Sequence, residues 1–366
     1  AYVTGERVES RAGEVVIEGS PTAGRAQMIL LETGGLGLGG QAALSSETIV
    51  LADHIRLEET PTAHQFYFDG AVEVFSGSVQ LEAAQMEVAT QRVVAGAAAA
   101  AGDGGGLELG RVVRMEAYGG VRIEQGEQVA KGERVSFHPD ESRAVLTGNP
   151  RVTNGAAVVV GHRMELQPQL AVVRGEPEAP LRVELPQLPD LGYQPWSEAA
   201  TETTVDADAP VEPVATVIRS QLLNMVETSD STLFRFTGDV TVDATNLQAT
   251  CQRMDVVTVP EDSSLSRPGP SSGSAGAGLA VLRIEAYEAL RIEQEGRTAE
   301  ADRGTILPRE GKLVLEQNAV VNDPRGTVRG HRLTLLQGQR RAIVEGGGPE
   351  GERARITLPG FSEGTF

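Results

Sequence analysis

Apolar and charged residues alternate with a period of two along most of this chain. Phe66, Phe68, Val72 and Val74 alternate with Tyr67, Asp69, Ala71 and Glu73. Leu81 and Ala83, then Met86 and Val88, carry the pattern on; Val121 and Ile123 flank Arg122, and Met164 and Leu166 flank Glu165. Similar rows return as Phe234, Phe236, Val240, Val242, Leu290, Ile292, Leu333 and Leu335. One apolar face and one charged face is the pattern of half-buried antiparallel strands. Turn signals at Asp69-Gly70, Gly119-Gly120, His138-Pro139-Asp140, Thr153-Asn154-Gly155 and Asn322-Asp323-Pro324 punctuate these runs, as in β-sandwiches and rolls. A turn or two of helix is expected only around Gln41–Glu47.

The rows recur because the sequence repeats. Thr48–Gly70 matches Thr216–Gly238 at an offset of 168, and Arg114–Tyr118, Arg122–Gln125 and Gly161–Arg163 return as Arg283–Tyr287, Arg291–Gln294 and Gly330–Arg332 at 169. Collinear self-similarity of this kind predicts tandem units. Residues 45–186 form repeat A and residues 214–359 repeat B, with a tail at 360–366. Residues 1–31 read as the C-terminal half of a further unit. Ala1–Val8 resembles Val129–Val135, and Gly19-Ser20-Pro21 falls where Gly148-Asn149-Pro150 does. The chain therefore reads as starting mid-repeat, with a processed or truncated N-terminal segment missing. Residues 32–44 are a Gly-rich linker and residues 187–213 a Pro- and acid-rich one. Val94–Gly110 and Pro260–Gly278 lack strand periodicity and are expected as surface loops at matched positions.

Composition narrows the function. The net charge of −19 and the absence of a basic stripe exclude nucleic acid as a natural partner. Cys251 is the single cysteine, so neither an internal disulfide framework nor a Cys-based metal cluster is available. It stands where Ala83 stands in repeat A, an inward position, and is expected as a small buried apolar residue. No apolar run reaches membrane-spanning length.

Taken in order, Phe66–Val74, Leu81–Thr90, Ala117–Gln125, Ala130–Asn154 and Val160–Leu166 resemble the strand set of the OstA-like, LptA-type domain of lipopolysaccharide transport. Repeat B carries the same set, with Gly148-Asn149-Pro150 replaced by Gln317-Asn318-Ala319 and Gly119-Gly120 by Glu288-Ala289. The resemblance implies an all-β fold of tandem β-jellyroll (β-taco) units of antiparallel strands stacked end to end in the periplasm, outer-membrane association included. Acyl chains of lipopolysaccharide or a related lipid would lie in an apolar groove between the sheets. Alternation and repeat equivalence then nominate the lining. In repeat A it is Phe68, Val72, Leu81, Met86, Ile123, Leu146, Met164 and Leu166. In repeat B it is Phe236, Val240, Leu247, Met254, Ile292, Leu315, Leu333 and Leu335. The same rows would equally serve as a closed sandwich core.

Other motifs carry less. Gly35-Leu36-Gly37-Leu38-Gly39-Gly40 matches G-x-G-x-x-G, but no βαβ unit surrounds it. His54, His64, His138, His162 and His331 lack metal-ligand spacing, so no metal or cofactor is expected. His162 and His331 alternate in phase with Met164 and Leu333. Arg122 with Glu124, and Arg291 with Glu293, predict cross-strand ion pairs on the solvated face. No carboxylate pair or nucleophile elbow suggests catalysis. The expected function is non-catalytic lipid binding in lipopolysaccharide transport. Its expected partners are other OstA-like transport proteins joined by β-edge stacking. A head-to-tail homo-oligomer is also expected, with the edge after Gly346 meeting the edge near Arg7–Ile17. The alternative is a structural module of an outer-membrane assembly protein, working by edge-to-edge β-pairing.

Overall fold

The computed structural model of the chain describes residues 2–31, 47–92, 109–185, 216–260, 279–336, 341–347 and 353–357, apart from residues 6, 12, 13, 20–23, 156, 245, 246, 295 and 325. The described residues hold strands β1 (Tyr2–Thr4), β2 (Arg7–Arg11), β3 (Glu14–Glu18), β4 (Ala26–Leu31), β5 (Glu47–Ala52), β6 (His54–Glu59), β7 (Ala63–Ser76), β8 (Val79–Arg92), β9 (Leu109–Gln125), β10 (Gln128–His138), β11 (Arg143–Thr147), β12 (Arg151–Asn154), β13 (Ala157–Val160), β14 (Arg163–Gln167), β15 (Leu170–Arg174) and β16 (Leu181–Leu185). They continue with β17 (Thr216–Ser220), β18 (Leu222–Glu227), β19 (Thr232–Asp243), β20 (Gln248–Pro260), β21 (Leu279–Gln294), β22 (Arg297–Leu307), β23 (Lys312–Asp323), β24 (Gly326–Leu336), β25 (Arg341–Glu345) and β26 (Arg355–Thr357). No α-helix occurs among the described residues; Pro139–Glu141 and Pro308–Glu310 each make one 3-10 turn. The chain is all-β, as its alternation predicts. Contacts divide it into a first unit, Ala1–Asn154 with Val160–Val173, and a second, Gly155–Val159 with Arg174–Phe366.

Each unit contains two antiparallel sheets that share their long strands. In the first unit, sheet I runs β2–β3–β6–β7–β8–β9–β10–β11–β14. Sheet II runs β1–β4–β5–β7–β8–β9–β10–β12. Strands β7 to β10 belong to both, one half in each sheet. The halves meet where the register skips, between Asp69 and Val72, Glu82 and Gln85, and Gly132 and Arg134. The second unit follows the same plan. Its sheet I is β18–β19–β20–β21–β22–β23–β24–β25, and its sheet II is β16–β17–β19–β20–β21–β22–β23–β24–β26.

Every second crossing carries two consecutive residues of positive φ, which re-aim the strand from one sheet to the other. They are Gly70-Ala71, Gly119-Gly120 and Gly148-Asn149 in the first unit, and Gly238-Asp239, Glu288-Ala289 and Gln317-Asn318 in the second. Asp69-Gly70 and Gly119-Gly120 are therefore not chain reversals, contrary to the reading from sequence. Two left-handed residues bend a strand and let it continue, and β7 and β9 run straight through them. The second unit keeps the bends where it has lost the glycines. Glu288 and Ala289 have φ of 63° and 52°, Gln317 and Asn318 of 62° and 55°. Side chains other than Gly, Asn and Asp adopt this region at a cost of about 1–2 kcal/mol. Ala289→Gly and Gln317→Gly are each expected to stabilise the second unit by about 1 kcal/mol, after allowance for glycine's freer unfolded state, read as a raised denaturant midpoint.

Hydrogen bonding corrects the alignment of the N-terminal segment. The Gly19 amide donates to the Asp53 carbonyl (3.0 Å) just as the Gly175 amide donates to that of Gln221 (2.8 Å). Ala26 pairs with Ala52 as Leu181 pairs with Ser220. Gly19 and β4 are thus the counterparts of Gly175 and β16, and Gly19 does not correspond to Gly148. A short Gly-x-Pro motif occurs at both places (Gly148–Pro150 and Gly175–Pro177), so it could not choose between them. Both Gly-rich and Pro-rich linkers, and residues 41–46 of the suggested helix, lie outside the described residues. So do the two suggested loops, except that Leu109 and Gly110 open β9 and Pro260 closes β20.

Candidate functional site

The inner faces of the two sheets in each unit are aliphatic, because each strand turns its apolar alternate to the interior on both sides of its bend. All eight residues nominated in repeat A, Phe68, Val72, Leu81, Met86, Ile123, Leu146, Met164 and Leu166, are buried. So are the eight in repeat B, Phe236, Val240, Leu247, Met254, Ile292, Leu315, Leu333 and Leu335. The phase change between Ala83 and Met86 is the register skip in β8, which a strict period of two would miss.

The two interiors are not packed alike. Ile123 is fully buried whereas its counterpart Ile292 is 8% exposed, and Phe66 is fully buried whereas Phe234 is half-buried. A cavity of about 50 Å³ lies between the sheets of the second unit. Sheet II and the residue just before it contribute Ile218, Val242, Leu247, Ala249, Leu290 and Ile292; sheet I contributes Met254, Val256, Ile284, Ala286, Gly304, Ile306 and Leu313; Cys251 sits at the crossing of β20. Of the nominated residues, Leu247, Met254 and Ile292 line it. Phe236, Val240, Leu315, Leu333 and Leu335 are buried outside its wall. Sequence reasoning missed Ala249 and Gly304, although the repeat held the signal. They occupy the inward positions of Leu81 and Val135, and part of the vacated space goes to Leu290 and Leu313, which replace Val121 and Ala144.

Cys251 is a free, buried thiol, as its alignment with Ala83 predicts. Burial in this apolar wall pushes its pKa up to about 11, only partly opposed by backbone N–H donors. At pH 8 almost none of it is thiolate, so alkylation of the folded protein is expected to be over about a hundredfold slower than that of the unfolded chain. Equal rates would show that the wall opens freely.

Among the described residues, the buried carboxylates are Glu116 and Asp255, on the outer faces, and both are held by arginine. Glu116 accepts from Arg134 (2.5 Å) and Ser136 (3.2 Å), and Asp255 accepts two bonds from Arg235 (3.0 and 2.9 Å). Tyr287 lies under Arg253 and Arg303, 4.0 and 5.3 Å from its ring centre. Burial, then a hydrogen bond to Glu87, raises the pKa of Tyr118 well above the usual phenol range. The expected cross-strand pairing holds for Arg291, which reaches Glu300 (3.2 Å) as well as Glu293 (2.7 Å). Arg122 instead pairs along its own strand with Glu124, with Lys131 opposite it on β10 and Glu82 opposite it on β8. His162 is exposed, since the chain bends at His162 itself, ahead of β14, and so breaks the alternation that placed it in phase with Met164. His64 is buried with Nδ1 unpaired beside an equally unpaired Thr90 hydroxyl, directly opposite on β8. No cluster of three or more metal-ligating side chains converges among the described residues. None of their helices is long and apolar enough to cross a membrane.

Comparison with known families finds a match, described as LptA/(LptD N-terminal domain) LPS transport protein, over residues 49–171 and again over residues 218–340, about two thirds of the chain. A search of curated proteins finds no match.

Proposed function

The chain belongs to the LptA/LptD N-terminal family of LPS transport proteins, and from that premise we propose that it is a non-catalytic lipid carrier whose acyl cargo lies between the two sheets of a unit. A role related to lipopolysaccharide transport follows from family membership. The finer reading rests on the cavity of the second unit, whose wall is aliphatic and sulfur-bearing and drawn from both sheets. Such a wall offers hydrocarbon the environment it leaves water for, about 0.8 kcal/mol per methylene. Residence in the periplasm, or at the outer membrane, is part of the same proposal.

Size decides how the cavity works. About 50 Å³ is a third of the roughly 150 Å³ that admits benzene in an engineered cavity. An acyl chain therefore enters only as the sheets part, and the cavity is the place where parting begins. A chain of ~12 carbons gains on the order of 10 kcal/mol gross, from which the opening must be subtracted. Native mass spectrometry of protein taken from membranes is expected to show co-purified acyl lipid. Protein that is lipid-free, and that shows no saturable binding of a fluorescent lipopolysaccharide, would remove the proposal.

A second reading, an assembly module working by β-edge pairing, is favoured by one observation. Strand β26 pairs with β24 on one side, all three of its residues are exposed, and Ile356 is 63% exposed. An apolar edge invites another strand. Head-to-tail association that rises with concentration in light scattering, and is lost in Ile356→Lys, is the expected result.

A further inference from the structure

Leu290 and Gly304 pair a large side chain with a glycine, where the first unit has two valines. Leu290 follows the Glu288-Ala289 bend on the sheet II half of β21, and Gly304 lies on the sheet I half of β22, opposite Ala286 and Leu315. The leucine reaches across the fold line onto the glycine. A Cβ built at Gly304 would sit only 2.3 Å from Leu290 Cδ2, far inside the closest approach of non-bonded carbons. Gly304 is therefore a notch and Leu290 the side chain seated in it. Both line the cavity. Their counterparts, Val121 and Val135, are two buried valines.

We propose that Leu290, seated over Gly304, is the floor of the second unit's cavity and sets the longest alkyl chain that this unit accepts. The inference rests on the carrier reading above and deepens it, by naming the class of ligand the floor selects. A chain inserted between the sheets meets the bends where the sheets join, and its methyl end stops against Leu290. The wall is apolar throughout, so the segment that reaches the floor is unsubstituted hydrocarbon. Length is then the property the site can read, since each further methylene is buried or turned back into water. The step between adjacent lengths is about fourfold in affinity.

The test is competition by saturated fatty acids of increasing length against a fluorescent fatty acid bound to the full chain. The parent is expected to gain affinity with length up to an optimum and then to level off or fall. Leu290→Ala should move that optimum to longer chains by about two methylenes, with about fourfold gained at each added step. Leu290→Met, which keeps the volume, should leave the optimum in place. Val121→Ala, the matching truncation in the first unit, should leave it too. If Leu290→Ala fails to fold by circular dichroism, Leu290→Val, the residue the first unit uses, is read instead, with a smaller shift in the same direction. A parent with an optimum that neither truncation of Leu290 moves overturns the floor and leaves the carrier reading standing. A shift produced equally by Val121→Ala also overturns it. A parent that binds no probe saturably overturns the carrier reading itself.

Discussion

Ile292→Ser is expected to weaken binding of a fluorescent lipopolysaccharide by about 2 kcal/mol, roughly thirtyfold, while circular dichroism shows the fold retained. Ile292 lies in the cavity wall, and serine removes most of the hydrocarbon it offers to a ligand. Leu146→Ser is the informative partner. Leu146 is equally an inward residue, but it sits in the tightly packed first unit, at 1% exposure. Its truncation should cost about 2–5 kcal/mol of stability and leave affinity nearly unchanged. Aspartate at either site is a harsher change that risks unfolding, because an unpaired buried carboxylate consumes most of a domain's stability margin. Glu124→Gln and Glu293→Gln, on the outer face, should do nothing to binding. Equal loss of binding in both folded serine variants would mean that the first unit opens as well. Unchanged binding in both would reduce the rows to a core and move the assembly reading ahead.

Gly148→Ala is expected to destabilise the first unit by about 3 kcal/mol, a fall in melting temperature of roughly 6–12 °C. Two effects add there. The residue has φ of +79°, and an added Cβ would lie 2.3 Å from Glu133 Cβ. Gly120→Ala separates the two, since φ is +77° but nothing lies within 4 Å of the new carbon. Only the conformational part, about 1 kcal/mol, should be lost in that case. Equal melting temperatures for the two variants would mean that Glu133 moves aside without cost.

Much of this fold is legible in the alternation and the repeat. The inward rows come out of sequence with their phase correct, because a strand that buries one face leaves little freedom in register. The crossings are harder to see. Gly119-Gly120 looks like a hairpin turn, and nothing local separates a reversal from a bend that carries the strand on into a second sheet. Glu288-Ala289 shows the converse, since the bend persists without any glycine to announce it, held by pairing on both sides. The candidate site was legible as a class of residue and not as a place. Alternation nominates Phe236 and Leu315 as readily as Ile292, and only packing shows which of them face open space. Ala249 and Gly304 were within reach, because comparison of the repeats marks them as small residues at positions where repeat A is large.

The sharing of long strands between two sheets also bears on how a unit is made. Strands β7, β8, β9 and β10 pair each with the next along the chain, as do β19 to β24. Such connectivity keeps many contacts close in sequence, the condition under which all-β chains escape the slowest folding. Each strand added in this way extends both sheets in a single step. A half-built unit would already enclose a short, lined interior instead of presenting one bare apolar sheet to water. A chain folding as it emerges could thus shelter its aliphatic rows from the first hairpins onward, and a stalled intermediate would offer other chains an open strand edge more than an open face.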